Sequence, residues 1–87
     1  MKAPTKPQLA TLGRIEKLGY LKPAQNEKRT NPFSGISHTL EPLACQLYDF
    51  VTTRHHTCGL DYTRADWDRA RYWFLANWPR EYYDLLD

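Results

Sequence analysis

Cys45, His55, His56 and Cys58, with His38 further off, are the residue types in this chain that could hold a metal. Zinc needs four such donors converging at about 2.0–2.3 Å. A helix over residues 42–55 separates Cys45 from His55 by about 15 Å along its axis, and it turns Cys45 away from the apolar stripe toward Asp49. His55, His56 and Cys58 can meet at the helix end, but they supply three ligands at most. Two histidines near a helix C-terminus are also explained by the positive charge which that end favours. Neither cysteine has a histidine at a spacing that would activate it as a nucleophile. The paired acids Asp66 and Asp68, and Glu81 and Asp84, stand beside Arg69, Arg71 and Arg80. Solvated charge pairs at helical spacing account for them. The four glycines are isolated, so no phosphate-cradling loop is present. The expectation is a non-enzyme with no metal and no cofactor.

Binding chemistry is better represented. Ten of the twelve aromatic residues lie between Tyr48 and Tyr83, and all three tryptophans lie between Trp67 and Trp78. Tryptophan, tyrosine and arginine are the residues enriched at interface anchors. Arg69, Tyr72, Trp73 and Ala76 share one side of a helix, and Tyr83 follows on the next element. These five residues are the candidate partner-binding surface. The competing reading is that an N-terminal segment covers that side through Leu9, Leu12, Ile15 and Leu18. The sequence leaves both open.

Charge divides the chain. The net charge of +2 splits into +5 over residues 1–38 and −3 over residues 39–87. Lys2, Lys6, Arg14, Lys17, Lys22, Lys28 and Arg29 form a basic set suited to nucleic acid or to an acidic protein surface. No DNA-reading motif accompanies it. The helices expected at 42–55 and 64–77 are joined by more residues than a helix-turn-helix allows. The acids near the start of the second helix also oppose its use in base reading.

The elements that must position these residues follow from spacing and turn chemistry. "MKAPTKP" reads as an extended arm. Leu9, Leu12, Ile15 and Leu18 recur at threes, marking a short helix or helical turn that ends at Gly19. "LKPAQNEKRT" has no periodicity and reads as a loop. "NPFSG", residues 31–35, is a turn: Asn31 can bond the backbone ahead of it, Pro32 presets φ, and Gly35 permits the exit. "ISHTL" alternates like a short strand. Pro42 suits a first helical position. From there Leu43, Ala44, Leu47, Phe50 and Val51 fall within about 120° of arc. Thr63 is a candidate cap with Asp66 as its reciprocal partner. The helix that follows carries apolar residues on two sides, one of them Trp67, Ala70, Phe74 and Trp78. Pro79 begins a last short helix with Tyr82, Leu85 and Leu86 inward.

The order N-P-F-S-G, then L-x-P-L-A-x-x-L-Y-D-F, resembles small early proteins of tailed bacteriophages. In those, an N-P-x-[ST]-G turn leads into a helix start and the chain often ends in a "YYxLLD" segment. The matching residues are Asn31, Pro32, Ser34, Gly35, Leu40, Pro42, Leu43, Tyr48 and the tail from Tyr82 to Asp87. The resemblance spans residues 31–87 and departs at Glu41, where threonine is commoner. It carries over no catalytic residue. It implies a phage product in the host bacterial cytoplasm, of a kind that binds a host protein and blocks or redirects it.

Eighty-seven residues make one small body. No apolar run reaches the ~20 residues of a bilayer span, and no signal peptide is recognisable. The two cysteines are too few for a disulfide scaffold. The expected fold is mainly α: a small three-helix bundle over residues 30–87, with a short extended segment before its first helix. Residues 1–29 are expected as a flexible basic arm that includes a short helix. The leading function is host-protein binding through the aromatic and arginine surface. The alternatives are nucleic-acid binding by the arm, and self-association as a minor virion component.

Overall fold

The computed structural model describes residues 3–52 and 64–86. Thr5 opens the first helix, α1 (Lys6–Lys17), through a reciprocal capping box. Its hydroxyl accepts from Gln8 N–H at 3.3 Å, and its own N–H donates to Gln8 Oε1 at 2.8 Å. The helix stops at Gly19, whose φ of +100° is the left-handed conformation glycine adopts freely. There Gly19 N–H bonds Glu16 C=O and Tyr20 N–H reaches back to Ile15 C=O. Ile15 and Thr11 are the buried residues of this helix, while Leu9 is 54% exposed. Leu12 and Leu18 pack against the core with Ile15, so of the expected face only Leu9 stands out of it.

Strand β1 (Glu27–Thr30) and strand β2 (Ser37–Leu40) form an antiparallel hairpin, with Glu27 opposite Leu40 and Thr30 opposite Ser37. The turn between them is built on Asn31. Its Oδ1 accepts from Phe33 N–H at 2.8 Å and Ser34 N–H at 3.3 Å. Its N–H donates to Ile36 C=O, and its C=O accepts from Gly35 N–H. Gly35 has φ +79°. Asn31 Nδ2 donates to Asp84 C=O at 3.0 Å, tying the turn to the C-terminal helix.

Helix α2 (Pro42–Thr52) starts at proline as its sequence suggests, with Cys45 N–H bonding Glu41 C=O. The five residues of its expected stripe are all buried. So are Cys45, Gln46 and Tyr48. A helix buried on every side is a central one. The hairpin covers one flank, helix α3 (Arg64–Asn77) another, and the segment after α1 a third. On that third side Gln46 Nε2 donates to Tyr20 C=O at 2.9 Å.

Helix α3 runs into α4 (Pro79–Leu86) around Trp78. Phe74 is fully buried at the hub, with ring centroids 6.2 Å from Tyr48, 5.6 Å from Trp78 and 6.4 Å from Tyr82. Such pairs contribute roughly 0.5–1.5 kcal/mol each beyond area burial. Most of the aromatic surplus is thus core.

The fold is mainly helical, but three features differ from expectation. Four helices and a hairpin form among the described residues, not a three-helix bundle with an extended lead-in. The short helix expected in residues 1–29 is present as α1, but it and residues 27–29 of β1 pack on the body, where a flexible arm was expected. Residues 21–30, read as a loop, contain β1. That strand has no alternation to reveal it, because three of its four residues are exposed.

Candidate partner-binding surface

Asp66 shows how α1 is held. Its carboxylate is 1% exposed and accepts from Thr11 Oγ1 and Arg14 Nε, each at 2.8 Å, and also from Arg14 Nη2. Arg69 Nη1 donates to Thr11 Oγ1 at 3.0 Å and lies 3.5 Å from Asp66 Oδ1. Asp66 is therefore not a solvated surface acid. It anchors a polar cluster between α1 and α3. The hydrogen bond to Asp66 pushes the Arg14 pKa up. Thr63, its expected capping partner, lies outside the described residues.

The five predicted contact residues separate accordingly. Trp73 is 4% exposed, so it belongs to the core and not to a free surface. Arg69 is committed to the Thr11–Asp66 cluster. Tyr72, Ala76 and Tyr83 remain exposed, the two tyrosines at 58% each. The reading in which the N-terminal segment covers one side of α3 accounts for Trp73 and Arg69, with Ile15 rather than Leu9 leading the contact.

The basic set separates too. Arg29 grips Asp49 side-on, Nε to Oδ1 at 2.8 Å and Nη2 to Oδ2 at 2.9 Å, and adds Glu27 at 3.1 Å. The bond to Asp49 drives the Arg29 pKa well above its usual value. With Arg14 on Asp66, both arginines of the set are spent on structure. Lys6 and Lys17 are exposed on α1, Lys22 follows it and Lys28 is on β1. Lys2 lies outside the described residues. Of the metal candidates, Cys45 and His38 lie among the described residues. Cys45 is buried beside Leu40 C=O at 3.4 Å, and burial pushes its thiol pKa up. It lies near Asp49, as expected, but under the hairpin. His38 Nε2 sits 2.7 Å from Asp84 Oδ2, across β2 and α4. His55, His56 and Cys58 lie outside the described residues. Among the described residues no three potential ligands cluster.

What the fold does assemble is an arginine–aromatic ladder along α3. The Arg64 guanidinium lies 5.4 Å over Trp67, and Arg71 lies 5.5 Å over Trp67 and 4.6 Å over Tyr72. Positions 64, 67 and 71 share a helix face, so the ladder follows from spacing. Trp67 Nε1 donates to Val51 C=O at 3.2 Å, which fixes its ring against the end of α2. Arg71 Nη1 donates to Tyr82 Oη at 2.8 Å, raising the Arg71 pKa, and Tyr82 meets Tyr83 edge-on at 5.5 Å. Arg71 Nε is buried without an acceptor. Leaving such a donor unpaired costs about 1–3 kcal/mol.

This ladder borders an open groove of about 1000 Å³. Phe33, at the tip of the hairpin turn and 89% exposed, stands on its opposite rim. Arg64, Trp67, Arg71, Tyr82 and Phe33 were not among the candidate contact residues. The signal for three of them was present as an R-x-x-W-x-x-x-R stripe. Phe33 was concealed because its turn reads as structural. Among the described residues no helix is long and apolar enough to cross a membrane. Comparison with protein-family models, curated proteins and solved structures finds no match to this chain.

Proposed function

We propose that this chain is a non-catalytic binding protein that docks on another protein through the arginine–aromatic surface of α3, α4 and the hairpin tip. The observation that carries the reading is the large aromatic area left in solvent beside the groove: Phe33, Tyr72 and Tyr83. A body this small has aromatic residues enough to fill its core, yet it holds three outside. Tyrosine and arginine on a rigid frame provide contact area at low entropic cost. The resemblance of residues 31–87 to tailed-phage early proteins supplies the context: a phage product that blocks or redirects a host protein in the bacterial cytoplasm. Nucleic-acid binding is the weaker reading, since Arg14 and Arg29 are engaged with carboxylates.

The test is affinity capture from nuclease-treated bacterial lysate at moderate salt. The native chain should retain one host protein stoichiometrically. Phe33→Ala and Tyr72→Ala, both at exposed positions, should lose it while keeping the native circular dichroism. Equal recovery by all three chains, or recovery only of proteins that nuclease releases, would argue against the proposal.

A further inference from the structure

Among the described residues the groove's lining charge is positive. Its described lining includes Arg64 and Arg71 and no aspartate or glutamate. Most of the remaining wall is apolar or aromatic, from Phe33 and Trp67 to Leu85 and Leu86. Two other arginines show how the guanidinium is used in this molecule. Arg14 and Arg29 each present the Nε edge of the guanidinium to a carboxylate, on Asp66 and Asp49. In Arg71 the Nη1 end is held by Tyr82, and Nε meets no acceptor. The plane is steadied by the Trp67 and Tyr72 rings, so the arginine is oriented before any ligand arrives.

We infer that this groove takes an acidic peptide segment of a partner protein, with a glutamate or aspartate side chain gripped by Arg71 and Arg64 and a flanking apolar side chain laid against Trp67 and Phe33. The inference rests on the protein-binding reading and deepens it by naming the partner's chemistry. Arg71 lines the groove, and its Nε is the guanidinium donor that still lacks an acceptor there. Arg64, largely exposed on the rim, adds the second charge; its own acid, Asp68, sits at a long 3.4 Å. The volume is at the upper end of ordinary ligand sites, roughly 300–1,000 Å³, and suits a short segment. Nucleic acid fits less well. The described lining offers two cations, which neutralise few phosphates.

The probes are a fluorescein-labelled octapeptide of alternating glutamate and leucine, its glutamine counterpart, and an octathymidine. Each is titrated with the full chain at about 0.1 M salt, where exposed charges still act over ~10 Å. The glutamate peptide should bind at least about tenfold more tightly than the glutamine peptide, and octathymidine should bind more weakly than either. Arg71→Gln should remove most of the difference, and Arg64→Gln should reduce it. Arg64 is too exposed for its loss to unfold the chain, so the series remains informative if Arg71→Gln is destabilised. Equal affinity for the two peptides, no peptide binding, or no response to Arg64→Gln and Arg71→Gln would overturn the inference. Tighter binding of octathymidine would overturn it in favour of nucleic acid. Lysate capture that survives both arginine changes yet fails with Tyr72→Ala would sink the acidic-peptide inference alone. Capture that fails for the native chain would remove the protein-binding reading beneath it.

Discussion

Asp66 is a carboxylate almost without solvent, so its partners must replace water. Thr11 and Arg14 do so from 55 and 52 residues away. Asp66→Ala strips Arg14 and Thr11 of that acceptor and opens a hole between α1 and α3. The Arg14 left behind is 42% exposed and can turn to water, so the loss is about 1–3 kcal/mol. Urea denaturation should show a loss of that order, and a change below ~1 kcal/mol would mean that solvent already compensates the cluster. Cys45 and Tyr48 make a second prediction. Burial raises both pKa values, so the folded chain keeps protons that the unfolded chain releases. These two groups therefore leave stability unchanged at low pH and lower it as pH rises through the ordinary thiol and phenol range, about 8.5–10. The urea midpoint should begin to decline there, and Cys45→Ala should delay the onset. A midpoint independent of pH up to ~11 would contradict this. Little of this was legible in sequence. Asp66 sits where a helix cap would place it, and no local spacing announces a hydroxyl and a guanidinium from the other end of the chain.

The elements were easier to read wherever backbone chemistry constrains them. The Asn31 turn, the Pro42 and Pro79 helix starts and the Gly19 stop all occur where their residue types suggest. Each depends only on neighbours in the chain. Strand β1 was hidden because "EKRT" has no apolar face, and it becomes a strand only by pairing with β2. The position of α1 was obscured for a related reason. Thr11 and Arg14, two polar residues, share its inward face with Ile15, while Leu9 points out. Two glycines of this region separate backbone freedom from packing. Gly13 lies inside α1 with nothing within 4 Å of an added Cβ, whereas Gly19 has equal space but φ +100°. Gly13→Ala should stabilise by roughly 0.5–1 kcal/mol, because alanine loses less freedom in a helix. Gly19→Ala should destabilise by about 1–2 kcal/mol, because a Cβ opposes the left-handed conformation. Thermal midpoints that shift in opposite directions would bear this out. A shift in the same direction would mean that Gly19 does not hold that backbone in solution.

On the scale of the whole molecule, the apparent division into a basic arm and a helical body disappears. Residues 3–29 supply Ile15 to the core, Tyr20 against Phe50 at 5.7 Å, the β1 half of the hairpin, and guanidinium partners for Asp66 and Asp49. Removing residues 1–29 exposes the side of α3 that holds Trp73. It also leaves β2 unpaired and strands the Asp66 carboxylate. Loss of the buried Ile15 side chain alone costs about 1.5–3 kcal/mol, and the charge-assisted bonds from Thr11 and Arg14 to Asp66 are lost with it. A chain of this length has a total stability of only about 4–13 kcal/mol. The truncated chain should therefore show no cooperative thermal transition and no fixed near-ultraviolet tryptophan signal, even if it stays in solution. A sharp transition near the native midpoint would mean that α2, α3 and α4 form a self-sufficient bundle with the N-terminal segment only resting on it. The distinction bears on function as well. If the segment is integral, deleting it abolishes every binding activity, and loss of binding no longer locates a site within it. Point changes at Arg64, Arg71, Phe33 and Tyr72 then become the informative ones, since they lie on a surface that the N-terminal segment helps to hold rigid but does not line.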